Sequence, residues 1–242
     1  MVNYRRNLVP GGTYFFTVAL ANRRSSVLVN NVDSLRQAFL KTRAERPFEI
    51  DAIVILPEHL HTIMTLPPTD LDYSGRWRRV KGLFTRVLVN SGMFIARDSR
   101  GEYQLWQHRF WEHTIRDDTD FERHVDYIHF NPVKHNLVSR AADWPHSSFH
   151  RYVKRGVLPQ DWAGVAGAAN GNFGEPSRRL RLTFVPHPAP HRVASPVPDY
   201  APLHPGYRTA KSPLAHPSLV TAQNSANFLA AIAARTPAIR SW

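Results

Sequence analysis

Cysteine is absent from this 242-residue chain, which excludes disulfide scaffolds, thiolate metal sites and cysteine nucleophiles. A chain without disulfides fits a reducing compartment, so we expect a cytoplasmic protein. Long apolar runs are also missing. The stretch from Tyr14 to Ala21 follows a Pro-Gly-Gly turn and is far shorter than the roughly 20 residues of a membrane span. We therefore expect a short strand there rather than a secretory signal, and no membrane partner.

Acidic side chains are scarce, because 19 Asp and Glu stand against 31 Lys and Arg, a net charge of +12. This excess favours a polyanionic partner, nucleic acid before an acidic membrane surface. No acidic residue occurs from Tyr73 to Asn90, and the apolar spacing predicts a basic helix over 77–90. The candidate phosphate contacts are Arg76, Arg78, Arg79, Lys81 and Arg86, with Arg5 and Arg6 in a basic N-terminal arm. A solvated helix face remains the alternative.

Composition changes near Gly174. Residues 175–242 hold 11 of the 19 prolines, and proline lacks the backbone donor that helices and central strands need. The sequence therefore predicts a domain over 1–174 and a Pro-rich tail over 175–242 that is extended or disordered.

Strands and helices alternate within the first part of the chain. Periodicity and turn residues predict strands over 13–20, 48–56 and 60–66, and helices over 32–46, 77–90 and 119–130. A further strand entering a turn is possible within 104–116. We expect Asn131-Pro132 to stop the last helix. This order favours an α+β fold, an antiparallel sheet with helices packed on one face.

Two histidines stand two residues apart in an apolar strand-like run. His59 and His61 would share one face of a strand, so both imidazoles can reach one ion, while Leu60 faces the core. Such a pair also arises by chance at a strand edge, so the motif needs a third ligand and a nucleophile from elsewhere.

The segment around Tyr127 could provide both groups. On a helix, Tyr127 and Asn131 lie four residues apart and share a face with His124. A phenol and an amide oxygen could thus point into one cleft, with His124 or a water taking the tyrosine proton. The alternative is a core aromatic followed by a helix-ending asparagine, and Pro132 leaves the aim of Asn131 open.

Several segments, in order along the chain, resemble the REP-associated tyrosine transposases. They are residues 3–6, 10–17, 56–61, 81–86, 106–113, 127–135 and 144–149. The resemblance covers about 1–174. It implies a ferredoxin-like or RRM-like α+β core and an HUH motif, histidine-hydrophobic-histidine, at His59-Leu60-His61.

The resemblance also implies roles for particular residues. Tyr127 would be the nucleophile. The third metal ligand of related transposases is an amide four residues after the tyrosine, which is Asn131 here instead of the glutamine of insertion-sequence relatives. Glu58 departs from the pattern, since asparagine is expected before the first histidine.

The expected activity is metal-dependent cleavage and strand transfer of single-stranded DNA at REP-type palindromic hairpins through a 5′-phosphotyrosine. The donor set of His59, His61 and Asn131 suits Mg²⁺ or Mn²⁺. Partners would be single-stranded DNA and DNA hairpins, with no small-molecule substrate, and the protein would act as a monomer or homodimer. The alternative is a catalytically inactive DNA-binding protein of the same fold.

Overall fold

A computed structural model describes residues 6–162. Arg5, the boundary near residue 174 and the tail 175–242 lie outside the described residues.

The core of the fold is a four-stranded antiparallel sheet in the order β2-β3-β1-β4. The strands are β1 (Thr13–Ala19), β2 (Glu49–Ile55), β3 (His59–Thr65) and β4 (Trp111–Thr114). The first three lie within a residue or so of the predicted ranges. Because β3 is hydrogen-bonded on both sides and buried along its whole length, it is a rigid support for side chains.

The helices are α1 (Val27–Asn30), α2 (Val32–Glu45), α3 (Tyr73–Asn90), α4 (Asp118–Lys134) and α5 (Phe149–Lys154). The α+β class is confirmed, and α2 and α3 pack on one face of the sheet through Phe39, Trp77 and Phe84. The expectation of helices on one face was incomplete, because α4 and α5 cover the other face through Phe121, Ile128 and Tyr152. Alternating residues of β1 divide between these two cores, so the sheet is buried on both sides.

Helix α3 begins at Tyr73, four residues before the predicted start. The Asp72 carboxylate caps it by accepting from the Gly75 backbone amide at 2.7 Å. The first turn contains Ser74 and Gly75, which form helices poorly, so the apolar periodicity did not show that the helix begins after Asp72.

Helix α4 runs through Pro132 to Lys134, so the prediction that it stops at Asn131 was wrong. Proline in the last turn removes one backbone hydrogen bond without ending the helix. The carbonyls at the end of the helix accept from backbone amides beyond it. Asn136 has φ 56°, and the amides of Asn136 and Leu137 donate to the carbonyls of Val133 and Pro132 at 2.9 Å. These paired bonds are those of a Schellman motif, which extends the helix past the tyrosine and amide.

Candidate active site and basic cleft

Strand β3 directs two imidazoles toward α4. His59 and His61 lie on the α4 side of the sheet with ring centroids 4.9 Å apart, and both are almost completely buried. Leu60 faces the α2 and α3 core, as the alternation of a strand requires. The two histidines therefore come together as predicted.

The neighbouring strand orients one of these rings. Thr17 pairs with His61 across β1 and β3, and its Oγ1 lies 2.9 Å from His61 Nδ1. When Nδ1 donates to Thr17, the lone pair of the neutral ring is on Nε2. A polar partner on the far nitrogen is the usual way in which proteins orient a metal-binding histidine.

Glu58 has the corresponding position beside the other ring. Its Oε1 lies 3.3 Å from His59 Nδ1 and 3.4 Å from Arg23 Nη2. Burial lowers the pKa of His59, although the Glu58 carboxylate opposes that effect, so the neutral imidazole that metals require is favoured. The expected asparagine is thus replaced by a carboxylate that can hold His59 in place.

The donor set fits a divalent ion. Among residues 6–162, His59 Nε2 is buried with no hydrogen-bond partner, an arrangement that ordinarily costs free energy. Two neutral imidazoles with the amide of Asn131, which is wholly buried one turn after Tyr127, suit an ion of intermediate hardness.

Tyr127 lies directly beside this pair. Its ring centroid is 5.1 Å from that of His61 in an edge-to-face contact. The helix thus brings the phenol to the HUH pair, and because the side chain is fully buried, a neighbouring group must move before its oxygen can reach a phosphate.

Two further residues of α4 and its end approach the site without having been assigned a role from sequence. Lys134 Nζ lies 3.4 Å from Tyr127 Oη and 4.7 Å from the ring centroid, and the His135 ring lies 5.3 Å from that of His59. The signal was present, since Lys134 follows Tyr127 by seven residues, two helical turns on one face. It was hidden because the helix was expected to end at Asn131.

His124, suggested as a proton acceptor, is held by other groups. Its Nδ1 lies 2.7 Å from the Asp120 carbonyl oxygen and its ring stacks on His113 at 4.8 Å. Lys134 Nζ, by contrast, lies within 3.4 Å of the tyrosine oxygen.

A cleft of about 670 Å³ lies on the other side of the sheet, between α3 and the segment 97–110. We call it the basic cleft. Its lining includes four of the predicted DNA contacts and four aromatic rings. They are Arg6, Arg78, Lys81 and Arg86, with Trp77, Tyr103, Trp106 and Phe110.

Lys81 is held in the basic cleft by three contacts. Its Nζ donates to the Gln107 carbonyl at 3.1 Å and lies within 6 Å of the Trp106 and Phe110 ring centroids. Burial, together with the nearby Arg6 charge, lowers the pKa of Lys81 to about 8.

Two of the predicted contacts point elsewhere. Arg76 is 2% exposed and makes a two-pronged ion pair with Asp70, and it also donates to the Pro47 carbonyl. Arg79 makes a two-pronged pair with Glu45. Their acidic partners come from other segments, so the absence of acidic residues within α3 did not mean an absence of acidic neighbours.

No helix within residues 6–162 is long and apolar enough to cross a membrane.

Comparison with known proteins gives consistent matches. The family model described as "Transposase IS200 like" matches residues 12–131. The chain is 51% identical over 164 residues to the REP-associated tyrosine transposase of Escherichia coli K12, covering 68% of this chain and 92% of that protein. It is 46% identical over 167 residues to a Haemophilus influenzae protein to which the same name is provisionally given, covering 68% and 94%.

A solved structure agrees. It is described as a REP-associated tyrosine transposase bound to a REP hairpin, and it matches with a TM-score of 0.65 and 48% identity over 73% of this chain and 99% of that one.

Proposed function

The chain belongs to the REP-associated tyrosine transposases, DNA transposases with a tyrosine nucleophile, and from that premise we propose that Tyr127 cuts single-stranded DNA at palindromic hairpins. The relative of known structure holds a REP hairpin, which supports a hairpin as the substrate here.

The contact between Tyr127 and His61 carries this proposal. A nucleophile must lie in line with the phosphorus and beside the group that stabilises the growing charge. The 5.1 Å separation of the two rings within one chain supports the second requirement, because His61 would help to hold the ion that stabilises this charge. This intramolecular arrangement also supports action as a monomer, which light scattering of the protein with and without hairpin would test.

In the proposed reaction, Tyr127 Oη attacks a phosphorus atom and loses its proton. The bond from phosphorus to the 3′ oxygen breaks, that oxygen takes up a proton, and the 5′ phosphate stays on the tyrosine. The Lys134 ammonium, 3.4 Å from Oη, would stabilise the phenolate as it forms and as it leaves again during rejoining.

His59, His61 and Asn131 would hold Mg²⁺ or Mn²⁺. When bound, the ion would supply positive charge to the phosphate oxygens. Thr17 and Glu58 would keep the two imidazoles in orientation.

The basic cleft would hold the DNA. Arg6, Arg78, Lys81 and Arg86 would contact phosphates, and Trp106 and Phe110 offer ring surfaces for unpaired bases. Because the basic cleft and Tyr127 lie on opposite faces, the strand would pass round the β4 edge of the sheet. Arg76 and Arg79 are left out of this set because of their ion pairs.

The test is a covalent-adduct assay on the full chain with Mg²⁺ or Mn²⁺ and hairpins from repeats flanking its gene. A 3′ label should migrate with the protein, whereas a 5′ label should leave on a fragment ending in a free hydroxyl. Tyr127→Phe should abolish the adduct and leave hairpin affinity within about twofold.

Tyr152→Phe is the matched control, since Tyr152 is a buried tyrosine on the same face whose hydroxyl donates to the Asp51 carbonyl. It should still form the adduct. An adduct that persists in Tyr127→Phe would refute the assignment. Hairpin binding without cutting by the wild type, with either ion, would favour the inactive DNA-binding alternative.

A further inference from the structure

We propose that His113, Asp120 and His124 form a second divalent-metal site, separate from the HUH pair, that takes Zn²⁺. His113 lies on β4, whereas Asp120 and His124 lie on the first two turns of α4. Within residues 6–162 this is the one group of three His or carboxylate side chains whose ligand atoms all lie within 4.8 Å of one another.

The present distances need little change to enclose an ion. His113 Nε2 lies 2.8 Å from Asp120 Oδ2, and His124 Nδ1 lies 3.2 Å from Asp120 Oδ1. Two ligands in a tetrahedral zinc site with bonds near 2.05 Å lie roughly 3.3 Å apart. His124 Nδ1 also lies 2.7 Å from the Asp120 carbonyl oxygen, a contact that a bound ion would replace.

The ligand chemistry fits zinc. Two imidazoles and one carboxylate are a common zinc donor set. His124 is buried, and the side chains of His113 and Asp120 are about one-fifth exposed. An ion can therefore enter from solvent, and water can complete its coordination.

Phe15 separates the two sites. Its ring lies 5.5 Å from that of His61 and 4.8 Å from that of His124. A zinc ion would therefore act apart from the HUH pair, by joining the edge strand β4 to the start of α4. Tyr127 follows His124 by three residues, so this link would steady the helix that carries the nucleophile.

The same atoms also form a network that needs no ion. Asp120 Oδ2 accepts from the Arg116 backbone amide at 3.1 Å and contacts His113 Nε2, as a carboxylate near a helix start commonly does. The two possibilities differ in zinc affinity and not in geometry, so binding must be measured.

The experiment uses the chelator-stripped full chain and zinc titration against a chromophoric chelator, with thermal unfolding in parallel. In the His59→Gln/His61→Gln background we expect one tight zinc and a raised unfolding temperature. Adding His113→Gln should weaken that zinc by more than about a hundredfold, because loss of an outer partner alone can cost that much, and should abolish the thermal shift.

Two further arms keep the test decisive if the double variant folds poorly. His113→Gln alone should lower the wild-type zinc stoichiometry by one, whereas His108→Gln, at an exposed position outside both sites, should not change it. Equal zinc binding and equal thermal shift in wild type and His113→Gln would overturn the proposal and leave the hydrogen-bonded network alone.

Discussion

The two faces of the sheet bury different kinds of side chain. The α2 and α3 face is filled by large apolar residues such as Phe16, Phe39 and Trp77. The α4 face buries His59, His61 and Asn131 beside a smaller apolar cluster. Burying polar groups costs free energy unless they find partners. We infer that the α2 and α3 face supplies most of the free energy of folding. The α4 face instead buries polar side chains that the proposed reaction needs.

The largest expected effect is a loss of hairpin cutting without a loss of stability. His59→Leu should lower hairpin cutting by about 10² to 10³ fold, the range for removing one group that stabilises a charged transition state. Its free energy of unfolding should change little, because an apolar side chain replaces the buried polar ring while the Glu58 carboxylate keeps its contact with Arg23. Single-turnover cutting and urea unfolding would check this.

A truncation on the α2 and α3 face should lower stability and leave hairpin cutting nearly unchanged. Phe39→Ala should lower the free energy of unfolding by about 3 to 5 kcal/mol, the usual cost of such a truncation in a packed core. Phe39 is 1% exposed. Cutting per folded molecule should stay within a few fold at a temperature where the variant is folded. A large loss of cutting in folded Phe39→Ala would show that the faces are not separable.

A smaller effect is the pH dependence of hairpin binding in the basic cleft, on the α2 and α3 side of the sheet. The pKa of Lys81 is lowered to about 8 by burial, and a DNA phosphate favours the ammonium. Hairpin affinity should therefore be full below pH 8 and fall as pH rises through it, by at most about tenfold at pH 9. Lys81→Arg should remove most of this loss, because arginine stays charged. Fluorescence anisotropy at constant ionic strength would measure it.

The smallest effects separate two neighbouring arginines of α3. Arg78 is exposed in the basic cleft, so Arg78→Gln should weaken hairpin binding severalfold and reduce the salt dependence by about one phosphate contact. Arg79 pairs with Glu45 instead, so Arg79→Gln should leave both quantities unchanged. Equal losses in the two variants would mean that the basic cleft does not distinguish them.

Local patterns in the sequence predicted much of this structure. β-branched, aromatic and apolar runs bounded by turn residues predicted β1, β2 and β3, and helical spacing put Tyr127 and Asn131 on one face. The contacts made across the sheet were not readable in the same way. Arg79 meets Glu45 only after α2 and α3 have packed, and Arg76 meets Asp70 only when the loop before α3 folds back along the helix, so helical periodicity alone did not show these ion pairs.

The candidate site shows the same division. The two-residue spacing of His59 and His61 predicted their convergence, because a strand fixes it locally. Lys134 was missed because the end of α4 depends on hydrogen bonds made beyond Pro132. The approach of Asp120 to His113 likewise requires β4 to lie beside the start of α4.

Pro132 gives α4 a mechanical property that an uninterrupted helix would lack. Proline has no amide hydrogen, so it cannot donate to the Ile128 carbonyl four residues earlier, and that bond would have spanned the turn between Tyr127 and Asn131. A helix bends most easily where its ladder is broken. The backbone ladder of α4 is therefore interrupted between Tyr127 and Asn131, and we expect the helix to bend there more readily than an uninterrupted helix would.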